Sequence, residues 1–226
     1  MPRHFPVTGE VTDLGYPRLP PTVGVCKIAN TAFHNNSTPM PRKTDARLTI
    51  REVSVYRCQH WACSARGAVL DDVSVTDLRG GGRAPSFLWG CVFSRVRLRG
   101  WISGLMWRWQ LDLNDDAASR RFLWANLSMY DSIEWALDIS EAQFSFYESL
   151  MGVPSHLVRR NPSVHFVMSQ ESARQLAGET TPANVWGITA SMLIEAGLKD
   201  TVIVLGGSGK KLRAQQDEAK ALVDRG

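Results

Sequence analysis

Residues 48–78 read LTIREVSVYRCQHWACSARGAVLDDVSVTDL, and two interleaved columns within them decide the fold. Leu48, Val53, Cys58, Cys63, Ala68, Val73 and Leu78 recur every five residues; Ile50, Val55, His60, Ala65, Leu70 and Val75 follow two residues behind and are apolar except at His60. A helix repeats its face every 3.6 residues and a simple strand every two, so neither keeps this register. A coiled, stacking chain does. Side chains two apart on extended backbone share a face, so each pair (Val53 with Val55, Val73 with Val75) points inward together. Arg51, Glu52, Arg57, Arg66, Asp71, Asp72 and Asp77 fall between the pairs, on corners and the outer face. Small residues at Cys58, Cys63 and Ala68 suit a narrow interior.

The register breaks at Arg79-Gly80-Gly81-Gly82-Arg83-Ala84-Pro85 and resumes with Cys91/Phe93 and Val96/Leu98. These pairs resemble those of the pentapeptide-repeat proteins over about residues 46–104, with an interruption at 79–86. The resemblance implies a right-handed, four-sided β-helix with five residues per face. His60 and Ala65 depart from the family's preference for Leu or Phe at the second inner position. Gln59, Ser64, Val69 and Ser74 stand where the family usually has Asn or Asp. An ordinary twisted sheet is the alternative reading of the same columns. Beyond them, Phe122 to Ile139 reads as strand-like.

The composition is that of a globular protein, 44% hydrophobic and 21% charged in 226 residues, enough chain to bury a core. Four cysteines are too few for a disulfide scaffold. The stretch Met1-Pro2-Arg3-His4-Phe5-Pro6 has no apolar run of the secretory kind. Trp101–Leu111, the best spanning candidate, is too short and contains Arg108. A cytoplasmic protein without membrane contact is therefore expected. The net charge of +4 is uneven: residues 1–128 carry 17 basic and 10 acidic side chains, residues 129–226 carry 9 and 12. The two halves can attract each other, or the basic one a polyanion.

Seven of eleven prolines lie in residues 1–44, which reads as an extended lead-in with one short strand at Val23–Ile28. In the C-terminal third, Ser140 opens a helix running to Met151 with Gly152 as its stop. Val164–Met168 reads as a strand, Thr181-Pro182 as a helix start, Thr201–Leu205 as a strand and Gly209–Asp224 as a helix. The expected fold is α+β: a Pro-rich lead-in at 1–44, a right-handed β-solenoid-like part at 45–139 and a small α/β domain at 140–226.

Candidate chemistry is sparse. Gly206-Gly207-Ser208-Gly209-Lys210-Lys211 lies between a strand and a helix, where backbone N–H groups can hold phosphate. The P-loop pattern fails at Val204 and Lys211. Cys58, His60 and Cys63 make an incomplete zinc set, and their spacing equals the coil period, so no metal is expected. Asp112-Leu113-Asn114-Asp115-Asp116 opens like a calcium loop, but Ala117 and Leu123 break the pattern, leaving a turn that feeds a short helix. No cofactor is implied, and no nucleophile constellation appears. Arg95, Arg97 and Arg99 alternate with Val96 and Leu98, which puts three guanidiniums on one strand face near Trp101, Trp107, Arg108 and Trp109. The function expected is non-enzymatic docking of a protein partner on the outer faces of a β-solenoid, with Arg95, Arg97, Arg99 and Arg108 as the surface. The alternative is a small-ligand or anion-binding protein, or an enzyme, with a site between solenoid and C-terminal domain. Arg159, Arg160, Gly207, Ser208, Gly209 and Lys210 would then be the anion contacts. A further alternative is nucleic-acid binding through the arginine ribbon.

Overall fold

Successive passes of the chain lie side by side in parallel. In this computed structural model, which describes residues 7–12, 22–81, 84–179 and 185–223, the first ten strands are β1 (Val7–Thr12), β2 (Thr22–His34), β3 (Thr49–Trp61), β4 (Ser64–Arg66), β5 (Val69–Asp71), β6 (Ser74–Gly80), β7 (Ser86–Trp89), β8 (Val92–Ser94), β9 (Val96–Ile102) and β10 (Leu105–Arg108). Helix α1 (Asp116–Tyr130) follows, then β11 (Leu137–Phe144), β12 (Glu148–Ser149) and β13 (Val158–Arg159). The C-terminal part holds β14 (His165–Ser169), α2 (Gln170–Glu179), α3 (Val185–Ala196), β15 (Asp200–Val204) and α4 (Gly209–Val223). The content is mixed α and β around one large curled sheet. That sheet is parallel, nine-stranded and ordered β1-β2-β3-β6-β9-β11-β13, with β5 joining β3 to β8. A second parallel sheet runs β10-β7-β4.

The five-residue columns become the register of these sheets. Val55 lies beside Val75, Val75 beside Leu98, Val96 beside Leu137 and Leu137 beside Val158. Between the short extended stretches the backbone turns through the left-handed region at Glu52, Arg57, Ala62, Gly67, Asp72 and Asp77, with φ between 51° and 57°. Val25, Asn30 and Asn35 precede that series, and Gly90, Arg95 and Gly100 continue it. A non-glycine residue there costs about 1–2 kcal/mol. Hydrogen bonds to the neighbouring pass oppose that cost: Asp72 N–H donates to Ser94 O at 2.8 Å and Arg95 N–H to Trp135 O at 3.1 Å. Corner side chains point outward, which is why charged residues occupy so many of them.

Two expectations are corrected. The span from Phe122 toward Ile139 is not extended: α1 occupies its first part, capped by Asp115, whose side chain accepts from Ala118 N–H at 2.8 Å. Phe122, Leu123, Asn126 and Tyr130 form its buried stripe. Asn126 donates to Gly90 O and accepts from Arg47, pinning the helix to the parallel-stranded part. Residues 140–151 are not a helix. β11 runs across position 139 and pairs with β9 through Phe144, because Leu137, Ile139, Ala142 and Phe144 continue the buried columns of the parallel sheet. That pairing overrides local helix propensity. The expected helix start at Thr181-Pro182 lies outside the described residues.

β15 joins the two cores. Val202 and Val204 pack into the coil cluster with Leu137, Phe144 and Leu150. Ile203 and Leu205 pack on the other side with Leu123, Met168, Trp186 and Leu193. Such two-sided burial suits a central strand, and β15 lies between β12 and β14, antiparallel to both. Among the described residues no helix is long and apolar enough to cross a membrane.

Candidate functional site

β9 buries Val96, Leu98 and Ile102 and turns Arg97 and Arg99 outward, as alternation requires. Arg95 stands at the preceding corner. Arg97 and Arg99 share that face, Arg95 stands at its edge, and each has an acidic partner. Asp71 bridges Arg95 and Arg51, Arg97 lies 3.9 Å from Asp72, and Arg99 lies 3.3 Å from Glu141. Trp135, 7% exposed, has the guanidiniums of Arg97 and Arg159 over its ring, at 4.9 and 4.4 Å. The backbone register explains the arrangement, since Arg97, Asp138 and Arg159 are neighbours across three adjacent strands. The ribbon is thus a ladder of alternating charge with half-exposed arginine heads.

Arg108 is elsewhere. It belongs to β10 in the second sheet, where it donates to Trp107 O at 2.8 Å, lies over Phe87 and faces Glu148 at 3.5 Å. The anion contacts expected at the C-terminal side are also divided. Arg159 stands on the ribbon, and Arg160 is held by its bond to His165 O at 2.8 Å. Gly207, Ser208 and Gly209 line a cleft of about 440 Å³ with Trp101, Glu141 and Asn161, and neither arginine nor Lys210 lines it. Glu141 sets a negative charge on that wall. Gly207 N–H is already committed to Phe144 O at 2.8 Å.

A second cleft, of about 300 Å³, lies where the parallel sheets meet the C-terminal layer, the seam at which the alternative reading expected a site, but it is lined by other residues than those expected. Ile102, Leu105, Met106, Phe144 and Phe146 supply apolar walls, and Glu148 and Ser145 the polar groups. Glu148 is buried on β12 between β10 and β15. Burial pushes its carboxyl up to about 7, with Arg108 and the N–H of Ser149 pulling the other way. The available signal was a single acidic residue inside the run Phe144-Ser145-Phe146-Tyr147-Glu148-Ser149-Leu150-Met151.

Other titratable groups are packed as core. His60 Nε2 faces Ser103 O at 2.9 Å and Nδ1 faces Ser86 Oγ at 2.6 Å. A carbonyl only accepts, so Nε2 carries the proton and Ser86 donates to Nδ1. Both side chains are buried and neither lines the cleft, and burial lowers the His60 pKa. The thiols of Cys58 and Cys63 point at backbone carbonyls of their own and the preceding pass. Burial pushes the Cys91 thiol up to about 12. Among the described residues no group of three or more His, Cys, Asp or Glu is placed to hold a metal ion. No protein-family model, no curated protein and no solved structure matches this chain.

Proposed function

We propose that this chain is a non-enzymatic docking protein. In this reading residues about 46–104 wind as a right-handed β-solenoid of the pentapeptide-repeat kind, and the outer face of β3, β6, β9, β11 and β13 receives a protein partner. Ser54 beside Ser74, together with a left-handed corner at every fifth residue, supports the coil. The observation that carries the docking role is the ladder itself. Arg95, Arg97 and Arg99 are oriented by acidic neighbours and by Trp135 while their heads remain 40–51% exposed. Side chains fixed before binding lose little entropy on association. Asp71, Asp72, Asp138 and Glu141 interleave with the arginines, which favours a protein surface of alternating charge over a uniformly negative nucleic acid. Arg108, on another sheet, is outside this surface.

A photo-crosslinking residue at Tyr56, which lies on the same face and is exposed, tests the reading, with Trp124 on α1 as the control position. A discrete protein adduct from position 56, absent from position 124 and lost in Arg97→Glu/Arg99→Glu, supports it. An adduct indifferent to the charge reversal, or no adduct, overturns it. Nucleic-acid binding that falls steeply with salt and is lost in the same variant overturns it in favour of the ribbon as a polyanion site.

The second reading, a small-ligand-binding protein with its site at the seam of coil and C-terminal layer, is favoured by the cleft around Glu148.

A further inference from the structure

We propose that the Glu148 cleft binds a small monoamine, an ammonium head on an apolar body. The inference deepens the second reading and rests on it. The floor is backbone at Gly80, Ser103 and Gly104. A Cβ at Gly80 would come within 3.0 Å of Gly104 Cα, so the two passes close the floor without side chains between them. Its carbonyls are already used: Ser103 O by His60 Nε2–H and Gly104 O by Ser86 N–H at 2.8 Å. The polar groups left in the walls are the Glu148 carboxyl and the hydroxyls of Ser103 and Ser145, which can accept or donate. Glu148 offers a carboxylate, and the Ser145 Oγ is buried with no partner among the described residues. Arg108 does not line the cleft, although its NH1, which donates to Trp107 O, also lies 3.5 Å from the Glu148 carboxyl and offsets part of its charge.

Charge selects the ligand. An anion entering would meet the Glu148 carboxylate with no Lys, Arg or His among the described lining residues, whereas an ammonium is attracted by it and gains contact with the aromatic rings of Phe144 and Phe146. Ile102, Leu105 and Met106 take the apolar body. The volume, about 300 Å³, is at the small end of ligand sites. The charged and titratable groups facing the Glu148 carboxyl are Arg108 from β10 and Tyr147 beside it in the chain. An incoming ammonium favours the ionised carboxylate, and the proton that Glu148 carries at low pH is released to solvent. Affinity therefore rises with pH through neutrality.

Isothermal titration of the full chain with 2-phenylethylamine, 3-phenylpropionate and 2-phenylethanol, which share one apolar body, tests this. The amine is expected to saturate, to bind about tenfold tighter at pH 8 than at pH 6, and to lose about tenfold or more in Glu148→Gln. Phe146→Ala, at the exposed mouth, weakens it about threefold with an unchanged melting temperature, which separates a lost contact from a damaged fold. Binding of phenylpropionate or phenylethanol as tightly as the amine overturns the monoamine while leaving a ligand cleft. Failure of all three to saturate by about 10 mM, a free energy too small for a built site, overturns the cleft as well.

Discussion

Glu148→Gln should change how the stability of this protein depends on pH. The Glu148 carboxyl ionises near 7 when folded against an ordinary 4.5 when unfolded. Between those values the folded chain holds a proton that the unfolded chain has released. Stability is therefore fully present below about pH 4.5 and is lost as pH rises through 7. Between pH 5 and pH 8 that loss amounts to about 2.5 kcal/mol for a shift of this size. His165 acts in the opposite sense. It is buried near Arg160 with its pKa lowered to about 4, so its contribution is present above about pH 6.5 and is lost as pH falls. His60 shares that direction. In the wild-type profile the two histidines therefore oppose Glu148. Both histidines remain in the variant, so the difference between the two proteins isolates the carboxyl. Urea unfolding followed by tryptophan fluorescence at pH 5, 6, 7 and 8 reads it directly. Relative to wild type, Glu148→Gln should gain about 2.5 kcal/mol from pH 5 to pH 8. Parallel profiles, agreeing within about 0.5 kcal/mol over that range, would refute the burial argument for Glu148.

Val25 holds φ at 53° with a β-branched side chain, so Val25→Gly, which relieves that strain but adds glycine's unfolded-state entropy, should leave stability within about 0.5 kcal/mol of wild type in denaturant unfolding, where a strain-free Val25 would give a loss of about 1 kcal/mol or more. A Cβ at Gly206 would collide with the backbone of Phe146; Gly206→Ala should lower stability by about 3 kcal/mol by prising the end of β15 from Phe144, detectable as a lower denaturation midpoint. Cys91, buried with its thiol raised to about 12, should resist iodoacetamide at pH 8 in the native protein and react fully in urea, as mass spectrometry of digests will show. Trp135→Ala should cost about 3–4 kcal/mol, since it removes a buried indole and leaves Arg97 and Arg159 without their shared ring.

The parallel registers were legible in the columns at Val53, Val55, Val73 and Val75 because an inward pair is a local choice of residue type. The start of α1 was legible in the turn at residues 112–116, but its length was not, since Phe122, Leu123, Asn126 and Tyr130 interleave with exposed Trp124 in a pattern that also suits extended chain. β11 was misread for the converse reason. Ser140 opens a plausible helix, and only the distant β9 makes the strand. Period-two alternation accounts for Arg97 and Arg99 both turning outward from β9, but their acidic partners Asp72 and Glu141 come from other passes of the chain. Arg108 follows Arg99 closely in sequence yet belongs to the second parallel sheet. The environment of Glu148 was invisible from sequence because β10 and β15, which bury it, are contributed from far away in the chain.

The helical excursion that carries α1 between β9 and β11 bears on how the sheet assembles. Val55 reaches its neighbour Val75 after twenty residues, whereas Val96 reaches Leu137 after forty-one. Loop-closure entropy grows slowly with length, so this doubling adds about 0.6 kcal/mol to the cost of the last large step. That is less than one buried aromatic ring contributes, and α1 returns Phe122 and Tyr130 to the interior. Growth of the ladder can therefore begin among the short-range passes and add β11 late, once α1 has packed against β8. Lengthening the chain before Asp115 or after Asp131 should leave the finished ladder intact and slow mainly this final addition.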